Sequence, residues 1–321
     1  MEYKKIVVAG GGILGSQIAF QSAYVGFEVT ILVRKEDAKR SVRAKLEKIR
    51  DTYLEAIKLM DSKDGIDAWA RGIADYDDFN AKKCQEQVLK AYDRIKIVND
   101  QKEALEDVDL VIESVTENID VKRTFYQQIA PLLPEKTVVV TNSSTLLPSK
   151  LASSTGRSEK FLALHFANSI WKNNTAEVMG HAGTDKKYFD EVIAFAEAIR
   201  MIPLPIREEK SGYLLNSMLV PFLLSAMDLL ANGISDPETI DKAWTLGTGA
   251  PKGPFQIIDT VGLITAKNIV EQYQKVPTIV NPLLKKMMLP YNYKKMLELL
   301  NKYIEAGKLG KSTGKGFYKY K

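Results

Sequence analysis

Short, unbroken apolar runs alternate with helical patterns along the first two thirds of the chain. Residues 6–9 form the first run, three glycines follow at 10–12, apolar residues recur at helical spacing over 16–25, and a second run covers 28–33. Further runs lie at 95–98, 109–113, 137–140 and 161–164. Strands buried on both faces show such unbroken runs rather than alternation, so the pattern predicts a parallel sheet covered by helices.

The pattern changes to helical spacing alone from residue 211 onward, with many Gly and Pro residues between the helices. We place the domain boundary near Ile206. Residues 1–206 are predicted to form the sheet domain, with a helical insert at about 36–92, and residues 207–321 an all-helical domain. A length of 321 residues suits two domains.

A glycine motif, Gly10-x-Gly12-x-x-Gly15, follows the first run at once and opens the first helix. These glycines allow a tight turn, close approach of a pyrophosphate, and close packing of helix on strand. The backbone at Ile13 and Leu14 would then face the diphosphate at the positive end of the helix dipole. The sequence predicts an α/β fold: a Rossmann-like, doubly wound dinucleotide domain followed by an all-α domain.

The second run ends in Val33-Arg34-Lys35, where NAD-binding domains usually carry an acidic residue for the ribose hydroxyl. Valine cannot accept that hydrogen bond, whereas the two basic residues could bind a 2′-phosphate. This favours NADP(H), or tolerance of both NAD(H) and NADP(H). The alternative is that the basic pair is solvated and that Glu36 or Asp37 binds the ribose.

Several polar residues follow strands or begin the helical half, where a doubly wound sheet places its ligand site. Asn142 and Ser144 follow the run at 137–140, His165 ends the run at 161–164, and Glu177 precedes another short apolar stretch. An imidazole can take up the proton left when a secondary alcohol loses a hydride. A carboxylate on its other nitrogen would fix the tautomer.

The chain resembles the L-3-hydroxyacyl-CoA dehydrogenase family over nearly its whole length. Ser144 and His165 are 21 positions apart, and His165 and Glu177 are 12 apart, as the family pattern requires. The other motifs that carry the resemblance are Asp109-Leu110-Val111-Ile112-Glu113, His165-Phe166-x-Asn168, Gly247-x-Gly249-x-Pro251-x-Gly253-Pro254-Phe255 and Gly314-x-Gly316-Phe317-Tyr318.

The resemblance implies an NAD(P)-dependent oxidoreductase that interconverts a short-chain L-3-hydroxyacyl-CoA and the 3-oxoacyl-CoA. It implies that His165 is the general base and that Glu177 orients it. Ser144, Asn168 and Asn216 would contact the substrate. The residues that it places beside the cofactor are Glu113, Glu117, Lys122 and Asn142. A non-catalytic dinucleotide-binding protein is the remote alternative.

The match departs from the family beside the predicted base. Family members that act on acyl-CoA usually carry His-Phe-Phe-Asn-Pro, whereas this chain has Ala167 and Ser169 in place of the second Phe and the Pro. Residues 144–151 resemble the branch of L-gulonate 3-dehydrogenase and lens lambda-crystallin, which act without CoA. A free 3-hydroxy acid is therefore the alternative substrate.

The helical insert carries basic residues that either neutralise CoA phosphates or pair with acidic neighbours on an exposed helix. These residues are Lys39, Arg40, Arg43, Lys45, Lys48 and Arg50.

In the second half, a broad apolar face between Leu214 and Leu230 exceeds what one small domain needs, and it predicts a homodimer through the C-terminal helices.

Composition and charge argue against several classes of partner and site. The net charge of +5 is small and its signs are interspersed, which argues against a nucleic-acid partner. One cysteine and two histidines leave little material for a disulfide or a metal site. Asn216, Pro221 and Asp228 interrupt the most apolar stretch, so no membrane span is predicted. Without a visible targeting segment, we expect a cytoplasmic protein.

Overall fold

A computed structural model describes residues 3–62, 65, 69–274 and 291–320. The chain divides into two compact units, Met1–Leu214 and Leu215–Lys321. Residues 63, 64 and 66–68 of the predicted insert, and 275–290 of the predicted helical domain, lie outside the described residues.

The first unit is built on one sheet. Its strands are β1 (Lys5–Ala9), β2 (Glu28–Leu32), β3 (Lys96–Val98), β4 (Leu110–Glu113), β5 (Val138–Thr141), β6 (Phe161–Phe166), β7 (Thr175–Met179) and β8 (Ile202–Ile206). They lie in the order β3-β2-β1-β4-β5-β6-β7-β8. Neighbours are parallel except β6 and β7, which are antiparallel. The predicted doubly wound α/β sheet is confirmed; the antiparallel β7 was not predicted.

Helices cover this sheet. They are α1 (Ile13–Tyr24), α2 (Ala38–Met60), α3 (Ala81–Arg94), α4 (Gln101–Leu105), α5 (Ile119–Ile129) and α6 (Lys186–Ala198). Ile6 and Val8 of β1 belong to the core that contains residues of α1, α2, α3 and α6, whereas Val7 belongs to the core that contains residues of α4 and α5. Successive strand residues point to opposite faces, so burial on both faces explains the unbroken apolar runs.

Some of the basic residues of the insert are used within the fold. The guanidinium of Arg43 donates to the carbonyl oxygens of Tyr92 (3.2 Å) and Ile95 (3.4 Å) at the end of α3. The guanidinium carbon of Arg50 lies 4.8 Å from the centre of the Tyr92 ring. The Lys39 ammonium pairs with Glu36 at 2.8 Å. These contacts support the alternative in which the basic residues of this exposed helix pair with neighbouring groups of the fold.

The second unit is helical. Its described helices are α7 (Leu215–Ala231), α8 (Pro237–Thr248), α9 (Pro254–Val261), α10 (Leu263–Gln274) and α11 (Tyr293–Glu305). Among the described residues of both units, no helix has the length and apolar character needed to cross a bilayer.

Two buried carboxylates explain the glycines of the two C-terminal motifs, at residues 247–255 and 314–318. Asp241 accepts hydrogen bonds from the backbone N–H of Phe255 at 2.8 Å, and Asp259 accepts from that of Phe317 at 2.8 Å. A Cβ at Gly253 would lie 2.3 Å from Cγ of Asp241, and one at Gly316 would lie 2.0 Å from Oδ1 of Asp259. Both signatures therefore serve the packing of the helical unit.

Candidate active site

The ends of four parallel strands are linked at one edge of the sheet. The Ser114 N–H after β4 donates to the carbonyl of Ala9 in β1 at 2.8 Å. The side-chain amide of Asn142 after β5 lies 3.5 Å from the Ser114 hydroxyl, and its oxygen accepts from the N–H of Phe166 in β6 at 3.1 Å. The glycine turn after β1 and the strand that carries His165 thus end at the same edge, which is where open α/β sheets bind ligands.

The glycine motif has the geometry that a bound diphosphate needs. Gly10 has φ +116°, and a Cβ there would lie 2.4 Å from the Ser114 carbonyl oxygen. A Cβ at Gly15 would lie 2.1 Å from the carbonyl oxygen of Gly10, so helix and strand pack closely there. Gly12 faces open space and precedes α1. Within the described part of the chain, no side chain caps this helix, which leaves its N-terminus for an anion.

A cleft of about 1080 Å³ opens beside this turn. Gly10, Gly12, Val33 and Arg34 line it, whereas Ile13, which is 70% exposed, is not among the described lining residues. Leu14 is half-buried and Gly15 is buried. The cleft therefore adjoins the predicted dinucleotide turn and the end of β2, as a dinucleotide requires.

One face of α2 adds polar groups to the Arg34 side of the cleft. Ser41 and Lys45 line it together with Arg34, and the Lys45 ammonium donates to the Ser41 hydroxyl at 3.0 Å. Neither Glu36 nor Asp37 is among the residues that line the cleft, within the part of the chain described. This end of the cleft is therefore rich in donors.

His165 and Glu177 face each other directly across the antiparallel pair β6–β7. Nδ1 of His165 lies 2.7 Å from Oε2 of Glu177, and the two residues are only 7% and 3% exposed. The second carboxylate oxygen accepts from the Leu214 N–H at 2.8 Å. With Nδ1 donating to the carboxylate, Nε2 carries the lone pair and is the atom able to take a proton.

Tyr213 packs against the imidazole of His165, with ring centres 4.9 Å apart. Burial, and then the nearby Glu117 and Glu177 carboxylates, raise the pKa of Tyr213 well above its usual value, so its phenol stays neutral. Its backbone has φ +54°, next to Leu214, whose N–H holds Glu177. Sequence reasoning did not find Tyr213, because a contact between distant segments leaves no local pattern.

Glu113 and Lys122 form a buried ion pair, with Oε1 and Nζ 2.5 Å apart and side chains 0% and 1% exposed. The other oxygen of Glu113 accepts from the hydroxyls of Tyr126 at 2.6 Å and Thr141 at 2.8 Å. Oε1 also accepts from the N–H of Val115, a cleft residue, at 2.7 Å. The pair therefore supports the wall of the cleft at Val115.

Glu117 holds the loop that carries Ser144. Its Oε1 accepts from the hydroxyl of Ser143 at 2.5 Å, the N–H of Ser144 at 3.0 Å and the N–H of Thr145 at 3.1 Å. Burial opposes ionisation, but the Ser143 hydroxyl, the Lys122 charge and Thr145 outweigh it and lower the pKa of Glu117 below its usual range. The carboxylate thus fixes the backbone at Ser144.

The remaining predicted substrate residues differ in exposure and in the unit to which they belong. Ser144 is half-buried at the end of β5, and Asn168 is exposed three residues after His165. Asn216 is half-buried at the start of α7, in the second unit. No group of three His, Cys, Asp or Glu side chains that could hold a metal ion occurs among the described residues.

Two family models together match almost the whole chain. The model described as "3-hydroxyacyl-CoA dehydrogenase, NAD binding domain" matches residues 5–209, and the one described as "3-hydroxyacyl-CoA dehydrogenase, C-terminal domain" matches residues 212–320.

Similar proteins span the full chain. It is 32% identical to the human mitochondrial hydroxyacyl-coenzyme A dehydrogenase over 319 residues, which covers 99% of this chain and 91% of the relative. It is 29% identical to a probable 3-hydroxybutyryl-CoA dehydrogenase of Bacillus subtilis, with 100% and 98% covered. A solved diketoreductase, described by its catalysis of dicarbonyl compounds, is 43% identical with a TM-score of 0.82, and both chains are covered completely.

Proposed function

The chain belongs to the 3-hydroxyacyl-CoA dehydrogenase family, and on that basis we propose that it oxidises a 3-hydroxyl group reversibly with His165 as the general base. The resemblance read from the motifs is confirmed, as is the prediction of an oxidoreductase with an NAD-binding domain. The observation that carries the proposal is the buried pair of His165 and Glu177, with Nδ1 and Oε2 2.7 Å apart.

The bound nicotinamide supplies the hydride chemistry. Gly10 and Gly12 would hold its diphosphate, since the turn leaves open space at Gly12 and a helix N-terminus beside it. Nε2 of His165 takes the proton of the 3-hydroxyl during oxidation and returns it during reduction. Glu177 keeps Nδ1 protonated and stabilises the imidazolium by its charge.

The substrate oxygens are assigned to Ser144, Asn168 and Asn216. Hydroxyl and amide donors stabilise a carbonyl oxygen as charge develops on it. The Ser144 assignment is supported by the Glu117 contacts, because a donor that is held in place before the reaction costs no reorganisation during it. The cofactor side of the site is assigned to four other residues, Glu113, Glu117, Lys122 and Asn142.

For the cofactor, we assign tolerance of NADP(H) beside NAD(H). Val33 offers no acceptor to a ribose hydroxyl, whereas Arg34 and the donors Ser41 and Lys45 line the same end of the cleft. A 2′-phosphate would gain charge-assisted hydrogen bonds from these groups. Glu36, which would otherwise bind the ribose, is paired with Lys39 at 2.8 Å.

The first candidate substrate is a short-chain 3-hydroxyacyl-CoA, as the names of the human and Bacillus subtilis relatives suggest. The second is a 3-hydroxy acid or dicarbonyl compound without CoA. Two observations favour this second candidate: the Ala167 and Ser169 departures beside the base, and the 43% identity to a diketoreductase.

A homodimer is proposed for the C-terminal helices. Within the second unit, Leu223 and Ala226 of α7 are buried, whereas Leu215 is 42% exposed and Met218 is 67% exposed. Exposed apolar side chains on a helix of this kind are typical of an interface. Sedimentation at micromolar concentration tests this: a species of 35.9 kDa alone would contradict the dimer.

One steady-state comparison tests the proposed function. NADH and NADPH are each assayed with acetoacetyl-CoA and with a free 3-oxo acid. Turnover of acetoacetyl-CoA alone supports the first candidate, and comparable turnover of the free acid supports the second. Dinucleotide binding without turnover of any 3-oxo substrate would contradict the enzyme and favour the remote alternative, a non-catalytic dinucleotide-binding protein.

A further inference from the structure

The turn that follows β6 is built around a residue in the left-handed region. Ser169 has φ +59°, and its carbonyl accepts from the N–H groups of Lys172 and Asn173, both at 2.9 Å. The side-chain amide of Asn173 donates to the carbonyl of Asn168 at 2.8 Å. The turn begins two residues after His165, so its conformation decides where Ala167 and Asn168 lie beside the base.

A side chain of the nucleotide-binding helix holds this turn. Oε1 of Gln17, on α1, accepts from the N–H of Ser169 at 2.8 Å and from that of Ile170 at 3.4 Å. Gln17 is only 7% exposed, so these bonds compete little with water. The helix that begins at the glycine turn is thus bonded to the segment next to the predicted base.

The family motif His-Phe-Phe-Asn-Pro places proline at position 169, and proline is incompatible with this arrangement. Proline has φ near −65° and no N–H, so it can neither adopt φ +59° nor donate to Gln17. The wall beside His165 is therefore held differently in this chain. An acceptor on α1 replaces the conformational restriction that proline supplies.

We infer that Gln17 is a positioning residue for the substrate: it holds the turn at 167–170 and thereby sets how tightly the 3-oxo substrate binds. This rests on the proposed function. Gln17 acts on the turn and not on the glycine motif, so its loss weakens binding of the substrate more than binding of the dinucleotide. Without Gln17 the turn is no longer held in the free enzyme, so part of the binding free energy goes into ordering it; a loss equal to one ordinary hydrogen bond corresponds to about a tenfold lower affinity.

Paired variants test this with acetoacetyl-CoA and NADH as the probes. Gln17→Leu removes the acceptor at similar volume, whereas Gln17→Glu keeps an acceptor oxygen. Ser169→Pro removes both the N–H and the positive φ, whereas Ser169→Gly keeps both. Ser22→Ala on the same helix is the control, because the Ser22 hydroxyl donates to the Ile18 carbonyl of α1 at 2.9 Å and to nothing in the described turn at 167–170.

We expect Gln17→Leu and Ser169→Pro to raise the KM for acetoacetyl-CoA about tenfold while the KM for NADH changes less than twofold. Ser169→Gly and Ser22→Ala should stay near wild type, and Gln17→Glu, which keeps an acceptor oxygen, should raise the KM for acetoacetyl-CoA less than Gln17→Leu does. Should Gln17→Leu not fold, the two Ser169 variants decide. Equal KM values in each pair, or equal rises for both substrates, would overturn the positioning role, whereas a wild type inactive with both acetoacetyl-CoA and a free 3-oxo acid would overturn the proposed function instead.

Discussion

Nζ of Lys122 lies 2.5 Å from Oε1 of Glu113, and both side chains are almost completely buried under the ends of β4 and β5. Burying one such charge without its partner costs several kcal/mol, so the pair matters most when half of it is removed.

Breaking this pair should destabilise the first unit strongly. Lys122→Met leaves the Glu113 carboxylate buried with neutral groups as its remaining described partners, the N–H of Val115 and the hydroxyls of Tyr126 and Thr141. We expect the free energy of unfolding to fall by about 3–5 kcal/mol. Urea denaturation measures it. The control is Lys186→Met, which removes an exposed pair with Asp190 and should cost less than about 1 kcal/mol. Equal losses for the two variants would contradict the structural role of the buried pair.

The Glu177→Gln variant should remain folded and lose turnover. An amide oxygen can still accept from the Leu214 N–H, but the amide lacks the charge that stabilises an imidazolium and can stabilise the wrong tautomer of His165. We expect kcat to fall about a hundredfold or more, with the dissociation constant of NADH nearly unchanged. Steady-state kinetics and fluorescence titration measure the two quantities. Wild-type kcat in this variant would remove Glu177 from the mechanism.

Stability should depend on the ionisation of Glu117. Its pKa is lower in the folded chain than the ordinary glutamate value of 4.5, so its stabilising effect is complete well above that value. The effect is lost as the pH falls through the lower, folded pKa. The difference in unfolding free energy between wild type and Glu117→Gln, measured by urea denaturation from pH 7 to pH 3, should therefore shrink on acidification. A constant difference would be the contrary result.

Arg34 should distinguish the two dinucleotides. Arg34→Ala removes a cleft residue that would bind a 2′-phosphate, so the KM for NADPH should rise at least about tenfold, while that for NADH changes less than about twofold. Lys35→Ala is the matched control, since Lys35 is not among the residues lining the cleft in the described part of the chain. Equal effects of Arg34→Ala on both dinucleotides would contradict the phosphate subsite.

Local patterns predicted most of the first unit. In a doubly wound sheet the buried strands appear in the sequence as apolar runs, and the ligand-binding turn appears as a glycine motif. The 12-residue spacing of His165 and Glu177 could also be recognised in the sequence. The structure explains this spacing, because the two residues oppose each other in the pair β6–β7. The antiparallel direction of β7 was not readable, since a short apolar stretch does not encode the direction of its partner.

Contacts between distant segments escaped sequence reasoning. Gln17 and Ser169 are 152 positions apart, and nothing near either residue indicates that an amide will hold that turn. Likewise, the family resemblance placed Glu113 and Lys122 beside a cofactor, but nothing in the sequence indicated that the two form a buried ion pair. Side-chain roles that depend on tertiary packing require the structure.

Replacement of the predicted base tests the account most directly, with the other histidine as its control. His165→Ala and His181→Ala are compared in the NADH-dependent reduction of acetoacetyl-CoA. His181 serves as the control because its Nε2 lies 3.0 Å from the carbonyl oxygen of Ser158 and, within the residues described, not beside a carboxylate like that of Glu177. We predict that His165→Ala lowers kcat by about 10²–10⁴ while still binding NADH, and that His181→Ala remains near wild type. Turnover by His165→Ala within twofold of wild type would contradict the central claim.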